Sequence, residues 1–159
     1  ALNQEFGIPL LIVHLVVFWY SQDSNVTPPV ALAGFAAAAI AQSGPMETSI
    51  QAWKFAKGLY IIPMFMVFNP EIIIGGPLPT VVWNGALALI GTVAFVAVLE
   101  GFFQTRMHLI LRVLLCLGGI GCLSPYPAAE IAGFLGCIAI LGHNTWLAWR
   151  NDRTKPQPA

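Results

Sequence analysis

Residues 21–29 read Ser-Gln-Asp-Ser-Asn-Val-Thr-Pro-Pro, a dense polar run between two apolar stretches. Pro28 and Pro29 lack backbone N–H groups, and Pro29 pushes Pro28 out of helical geometry. Carbonyls one turn earlier therefore lose their helical partners. Ser24, Asn25 and Thr27 add hydroxyl and amide oxygens, and Asp23 adds a carboxylate. Such a set of oxygens suits a small hard cation such as Na⁺. A helix that restarts near Thr27 aims its positive end at the same spot, which favours an anion. The expected ion- and substrate-binding residues are Asp23, Ser24, Asn25, Thr27, Pro28 and Pro29, with Na⁺ near Asn25 and Thr27. The other reading of 21–29 is an ordinary loop outside a membrane, joining two short helices.

Little else in the chain could do chemistry. There is no H-E-x-x-H, G-x-S-x-G or Walker A sequence, so no catalytic residues and no enzyme activity are expected, and no cofactor beyond a coupling ion. Cys116, Cys122 and Cys137 lie in apolar stretches without a C-x-x-C pair and read as small packing residues. His14 lies within an apolar run, where an ionisable residue is either functional or a hydrogen-bonded packing group. Glu100 is placed to pair with Arg106, and Glu130 reads as a solvated residue at an interface.

The elements that must position the polar run are membrane helices. The chain is 57% hydrophobic and 9% charged, against about 25% charged in ordinary soluble domains, and its mean hydropathy is +0.76. Lipid can accept the apolar surface that water would reject. The formal net charge is zero, and nothing suggests a nucleic-acid partner. A spanning helix needs about 20 apolar residues. Phe6–Tyr20 is a short apolar run, and Val30–Ala41 is a second one dominated by alanine. Gln42-Ser43-Gly44-Pro45 is a loop signal, Met46–Lys57 reads as a short interfacial helix, and Gly58–Phe68 as an apolar helix kinked at Pro63. Residues 71–80 read as a turn-rich connector. Val81–Phe103, Met107–Leu123 and Ala128–Trp149 are further spans, and the polar tail from Arg150 is expected to be disordered. The chain opens on Ala1 with no basic segment ahead of its first apolar run, so that run is not a signal peptide, and a piece of something longer is expected.

Charge placement tests this layout. With alternating helices, Lys54, Lys57, Arg106, Arg112, Arg150, Arg153 and Lys155 all fall on one side. The connectors at 70–80 and 124–127 fall on the other and carry no basic residue. The positive-inside rule then puts the C-terminus in the cytoplasm, with Arg112 snorkelling. The same parity makes residues 6–41 cross once, as two half-helices broken at 21–29. Small residues from Ala31 to Ala41 leave little bulk, so this half-helix is expected to be surrounded by other protein. The tryptophans fall mostly near span ends, and Ala128, Ala132 and Gly136 form a small-residue packing stripe.

The text from Asn25 through Thr27-Pro28-Pro29 to Ala38 resembles the C-terminal region of the large membrane subunit of TRAP (tripartite ATP-independent periplasmic) transporters, a DctM-like permease. The run from Pro45 to Ile73 resembles its continuation in fused permeases of the TAXI type. The resemblance implies a sodium-driven importer of organic acids in the bacterial inner membrane. It also implies a periplasmic substrate-binding protein that hands substrate to the permease, and an elevator-type motion. It places Thr27, Pro28 and Pro29, with Asn25 and Ser24, beside the ion and substrate sites. The chain departs from the family pattern at Ser21-Gln22-Asp23, so Asp23 either joins the site or caps the break.

The expected architecture is all-α: a polytopic transmembrane helical bundle of about five spans, one of them discontinuous at Thr-Pro-Pro. Residues 1–78 would be the C-terminal end of a TRAP-type permease domain, 79–150 additional C-terminal transmembrane helices, and 151–159 a disordered cytoplasmic tail. The family's site is built from two inverted repeats, of which this chain carries the end of the second. Upstream helices of the permease are therefore expected partners, with the bilayer and the binding protein. The competing expectation is a small integral membrane protein that assembles with a larger complex and transports nothing itself.

Overall fold

The structure, a computed structural model, describes residues 7–153. It is all-helical, with no strand among the described residues and an isolated antiparallel bridge between Phe102 and Arg106. Its contacts divide it into two compact units, Ala1–Asn84 and Gly85–Ala159.

The first unit contains α1 (Leu10–Asp23), α2 (Leu32–Ala41), α3 (Pro45–Phe55), a 3₁₀ stretch η1 (Ala56–Tyr60), α4 (Ile62–Phe68) and the single turn α5 (Glu71–Ile74). Ser21, Gln22 and Asp23, expected in the break, instead complete the last turn of α1. The prolines explain why the helix fails only after them. Pro28 and Pro29 cannot donate to the carbonyls of Ser24 and Asn25 four residues earlier. Those carbonyls are reached from beyond the break, by Ala31 N–H at 3.1 Å and Ala33 N–H at 3.0 Å. The interruption therefore covers 24–31, includes a cis Pro28–Pro29 bond, and ends at Ala31 in the left-handed region with φ 34°.

α2 folds back onto α3 through a turn at Gln42. Their approach is close. A Cβ on Gly34 would stand 2.6 Å from Ser49 Oγ and 3.0 Å from Ser49 Cα, so only glycine fits there. Ser49 is fully buried and its hydroxyl donates to the Pro45 carbonyl at 2.7 Å. α1 packs on η1 and α4 rather than on α2. The run expected as an interfacial helix followed by a helix kinked at Pro63 is thus one interrupted helix, α3–η1–α4. Its irregular stretch precedes Pro63, which sits in the first turn of α4 where no helical N–H is needed. The two interruptions meet, Thr27 in the break touching Tyr60 in η1. The connector after Asn69-Pro70 holds α5, and Asn84 Nδ2 donates to Glu71 Oε2 at 2.9 Å.

The boundary between the units falls inside α6 (Leu78–Glu100). The second unit continues with α7 (Leu109–Cys122) and α8 (Pro127–Arg153). α6 and α8 are long and apolar enough to cross a membrane, while α1, α2 and α7 are apolar but shorter. α7 and α8 form the tightest pair. A Cβ on Gly133 would lie 2.5 Å from Gly118 O and 2.8 Å from Cys122 N. Cys122 and Cys137 are buried free thiols in this seam. The seam runs along Ala129, Gly133 and Cys137, one residue on from the expected stripe. Ala128 and Ala132 are exposed, and Gly136 faces open space.

The 101–108 connector is held by Asn144, which is buried in α8. Its Oδ1 accepts from Gln104 N–H and Thr105 N–H at 3.0 Å each, and its Nδ2 donates to Thr105 Oγ1 at 2.9 Å. Arg112, expected to snorkel, turns instead to the end of α6 and donates from Nε and Nη2 to the Val98 carbonyl. That carbonyl is among the last four of α6, which lack helical donors. α8 continues through Arg153, one turn past the expected end of the span, and residues 154–159 of the tail lie outside the described residues.

Candidate functional site

The break between α1 and α2 forms one wall of an open recess of about 290 Å³. Asp23, Ser24, Thr27, Pro28, Pro29 and Val30 line it from the break side, with Tyr20 from α1 and Tyr60 from η1. Of the sequence-predicted residues, Asp23, Ser24, Thr27, Pro28 and Pro29 meet there, and Asn25 does not.

Each polar side chain first serves the end of α1. Ser24 Oγ donates to the Ser21 carbonyl at 2.7 Å, Asn25 Nδ2 to the Gln22 carbonyl at 3.0 Å, and Thr27 Oγ1 to the Asp23 carbonyl at 2.7 Å. At Gln22 and Asp23 these bonds add to the backbone N–H donors that Asn25, Val26 and Thr27 already supply. The chemical consequence concerns what remains. A hydroxyl has one proton; with that proton committed, Ser24 Oγ and Thr27 Oγ1 can act only as acceptors. Among the described residues, no backbone N–H reaches the carbonyls of Val26, Pro28 or Pro29.

Asp23 is the exception to this local satisfaction. It is 6% exposed, and its Oδ2 is buried with no hydrogen-bond partner among the described residues. An unpartnered carboxylate oxygen in such a place is costly. Beside acceptor hydroxyls and free carbonyls, it fits a cation and repels an anion. The half-helix end points the same way. Two N–H groups that would greet an anion, those of Ala31 and Ala33, are already bonded to the break's own carbonyls.

The second wall was not legible as part of a site. Tyr60 Oη contacts Thr27 Oγ1. Because the Thr27 proton goes to the Asp23 carbonyl, Tyr60 is the donor in this pair. Tyr20 Oη donates to the Tyr60 carbonyl, and Trp19 Nε1 to the Leu59 carbonyl, both at 3.0 Å. Two neighbouring aromatic residues of α1 thus satisfy two neighbouring carbonyls of η1. The available signal was Gly58 directly ahead of Leu59-Tyr60 in an otherwise helical run. His14 lies apart from this cluster. Its Nδ1 donates to the Leu10 carbonyl at 2.9 Å, roughly 13 Å along α1 from Asp23.

Interrupted helices in an apolar setting are a device by which many helical membrane transport proteins place polar sites. The family model of the tripartite ATP-independent periplasmic transporter DctM component matches residues 1–72, so that part of the chain is similar to a TRAP permease. The match takes in both interrupted helices and the recess between them. No curated protein and no solved structure matches the chain.

Proposed function

We propose that the chain is part of the permease subunit of a sodium-driven, binding-protein-dependent transporter that imports organic acids across the bacterial inner membrane. The DctM-like match supports the permease assignment. The observation that carries the coupling ion is the buried, unpartnered Oδ2 of Asp23 at a recess with acceptor hydroxyls. In this reading Na⁺ sits against Asp23, with Thr27 Oγ1, Ser24 Oγ and carbonyls of the Pro28-Pro29 turn as further oxygens. Asn25 acts one step back, by closing the end of α1. The organic acid meets the site through the bound cation, because the recess itself presents a carboxylate. Upstream helices of the permease complete the cavity, and a periplasmic binding protein delivers the substrate.

The test is uptake of labelled dicarboxylates, keto acids and amino acids into vesicles containing the complete permease and its binding protein. Uptake should require inward Na⁺ and should be lost in Thr27→Ala. Na⁺-independent uptake, or unchanged Na⁺ dependence in Thr27→Ala, overturns the assignment.

A further inference from the structure

We propose that the last three turns of α8 form a binding site for an anionic phospholipid headgroup. This reading is independent of the transport reading, since it concerns the second unit alone. Two cation–π pairs, each joining residues four apart, stand three residues from one another along the helix. The Arg153 guanidinium carbon lies 3.7 Å from the Trp149 ring centre, and that of Arg150 lies 5.1 Å from the Trp146 ring centre. The His143 ring leans on Trp146 at 6.2 Å. At 100° per residue these five side chains share one face of α8.

The position along the helix selects the partner. The apolar stretch of α8 ends at Trp149 and is followed by Arg150-Asn151-Asp152-Arg153, so the pairs straddle the level where acyl chains give way to headgroups. Trp146 and Trp149 are 49% and 54% exposed, and an amphipathic ring of this kind resides at that boundary. Stacking on a ring occupies the face of a guanidinium and leaves its N–H edge free. That edge matches two phosphate oxygens. Each tryptophan also holds its arginine in one orientation, so little side-chain freedom is lost when the phosphate arrives. A zwitterionic headgroup offers the same phosphate beside its own ammonium, which the two arginines repel. A headgroup with net negative charge is therefore preferred.

The test uses the full 159-residue chain in neutral detergent with equal amounts of phosphatidylglycerol and phosphatidylcholine, counting retained lipids by native mass spectrometry. The wild-type chain should retain phosphatidylglycerol by roughly tenfold over phosphatidylcholine, from two arginines at a charged surface. Arg150→Gln/Arg153→Gln should retain the two lipids equally. Trp146→Leu/Trp149→Leu, which keeps both charges, should lose part of the preference. A second measurement needs no variant: phosphatidylglycerol with brominated acyl chains should quench tryptophan fluorescence more strongly than brominated phosphatidylcholine. Equal retention and equal quenching by the wild-type chain, or a preference that survives the double Gln substitution, overturns the proposal.

Discussion

Thr27 caps a helix end and, in the proposed site, also serves as a ligand. Its proton closes the end of α1, its oxygen accepts from Tyr60, and a lone pair remains toward the recess. Tyr60→Phe in the complete permease should leave the helices intact but loosen Thr27. The half-saturating Na⁺ concentration should rise about fivefold, the worth of one hydrogen bond. An unchanged value would remove Tyr60 from the site. Asp23→Asn keeps the shape and removes the charge, so Na⁺ affinity should fall by at least tenfold while circular dichroism stays the same. Were Asp23 merely a cap, its neutral amide would support wild-type Na⁺ dependence. Ala31 makes a separate point. It is buried and adopts φ 34°, where a Cβ is disfavoured. Ala31→Gly should stabilise the first unit by up to about 1 kcal/mol, and Ala31→Val should destabilise it, read from thermal unfolding in detergent.

Helix pairs depend on positions where a side chain cannot be added. Gly34→Leu would drive a bulky side chain into Ser49 and separate α2 from α3. Gly133→Leu would do the same to α7 and α8 at the Gly118 carbonyl. Each should cost roughly 3 kcal/mol or more. Gly136→Ala on α8 meets nothing and serves as the neutral control. Asn144→Leu should free the 101–108 connector, leave the Gln104 and Thr105 N–H groups unpaired and cost about 2 kcal/mol. Protease cleavage in that connector, accelerated in the variant, would report it. A seam of small residues was readable in the sequence of α8, but its register was not. Ala128, Ala132 and Gly136 have the same spacing as Ala129, Gly133 and Cys137, and only the partner helix distinguishes them.

At the scale of the molecule, the layout rests on α6 and α8 as full-length apolar helices and on shorter apolar helices between and before them. Basic residues at 150 and 153 follow the apolar stretch of α8, and 124–127 carry none. Reporter fusions after Arg153 should therefore behave as cytoplasmic, with a fluorescent protein bright and alkaline phosphatase inactive. Fusions after Ser124 should behave oppositely. The reverse pattern would turn the bundle over and place the tryptophan–arginine face of α8 in the other leaflet.

Membrane embedding, helical class and the place of the break follow from composition and from two adjacent prolines. Each is a local property: lipid needs long apolar runs, and a proline lacks its N–H wherever the chain goes. Even so, the break begins after Asp23 rather than at Ser21, because proline frees the carbonyl four residues back and leaves the helix before it intact. The tertiary structure decided what faces the break. It brought η1 to Thr27 through bonds 33 and 40 residues apart in sequence, making Tyr60 a wall of the recess and leaving one Asp23 oxygen without a partner. No spacing rule connects residues so distant, since their meeting depends on how α1, η1 and α4 pack.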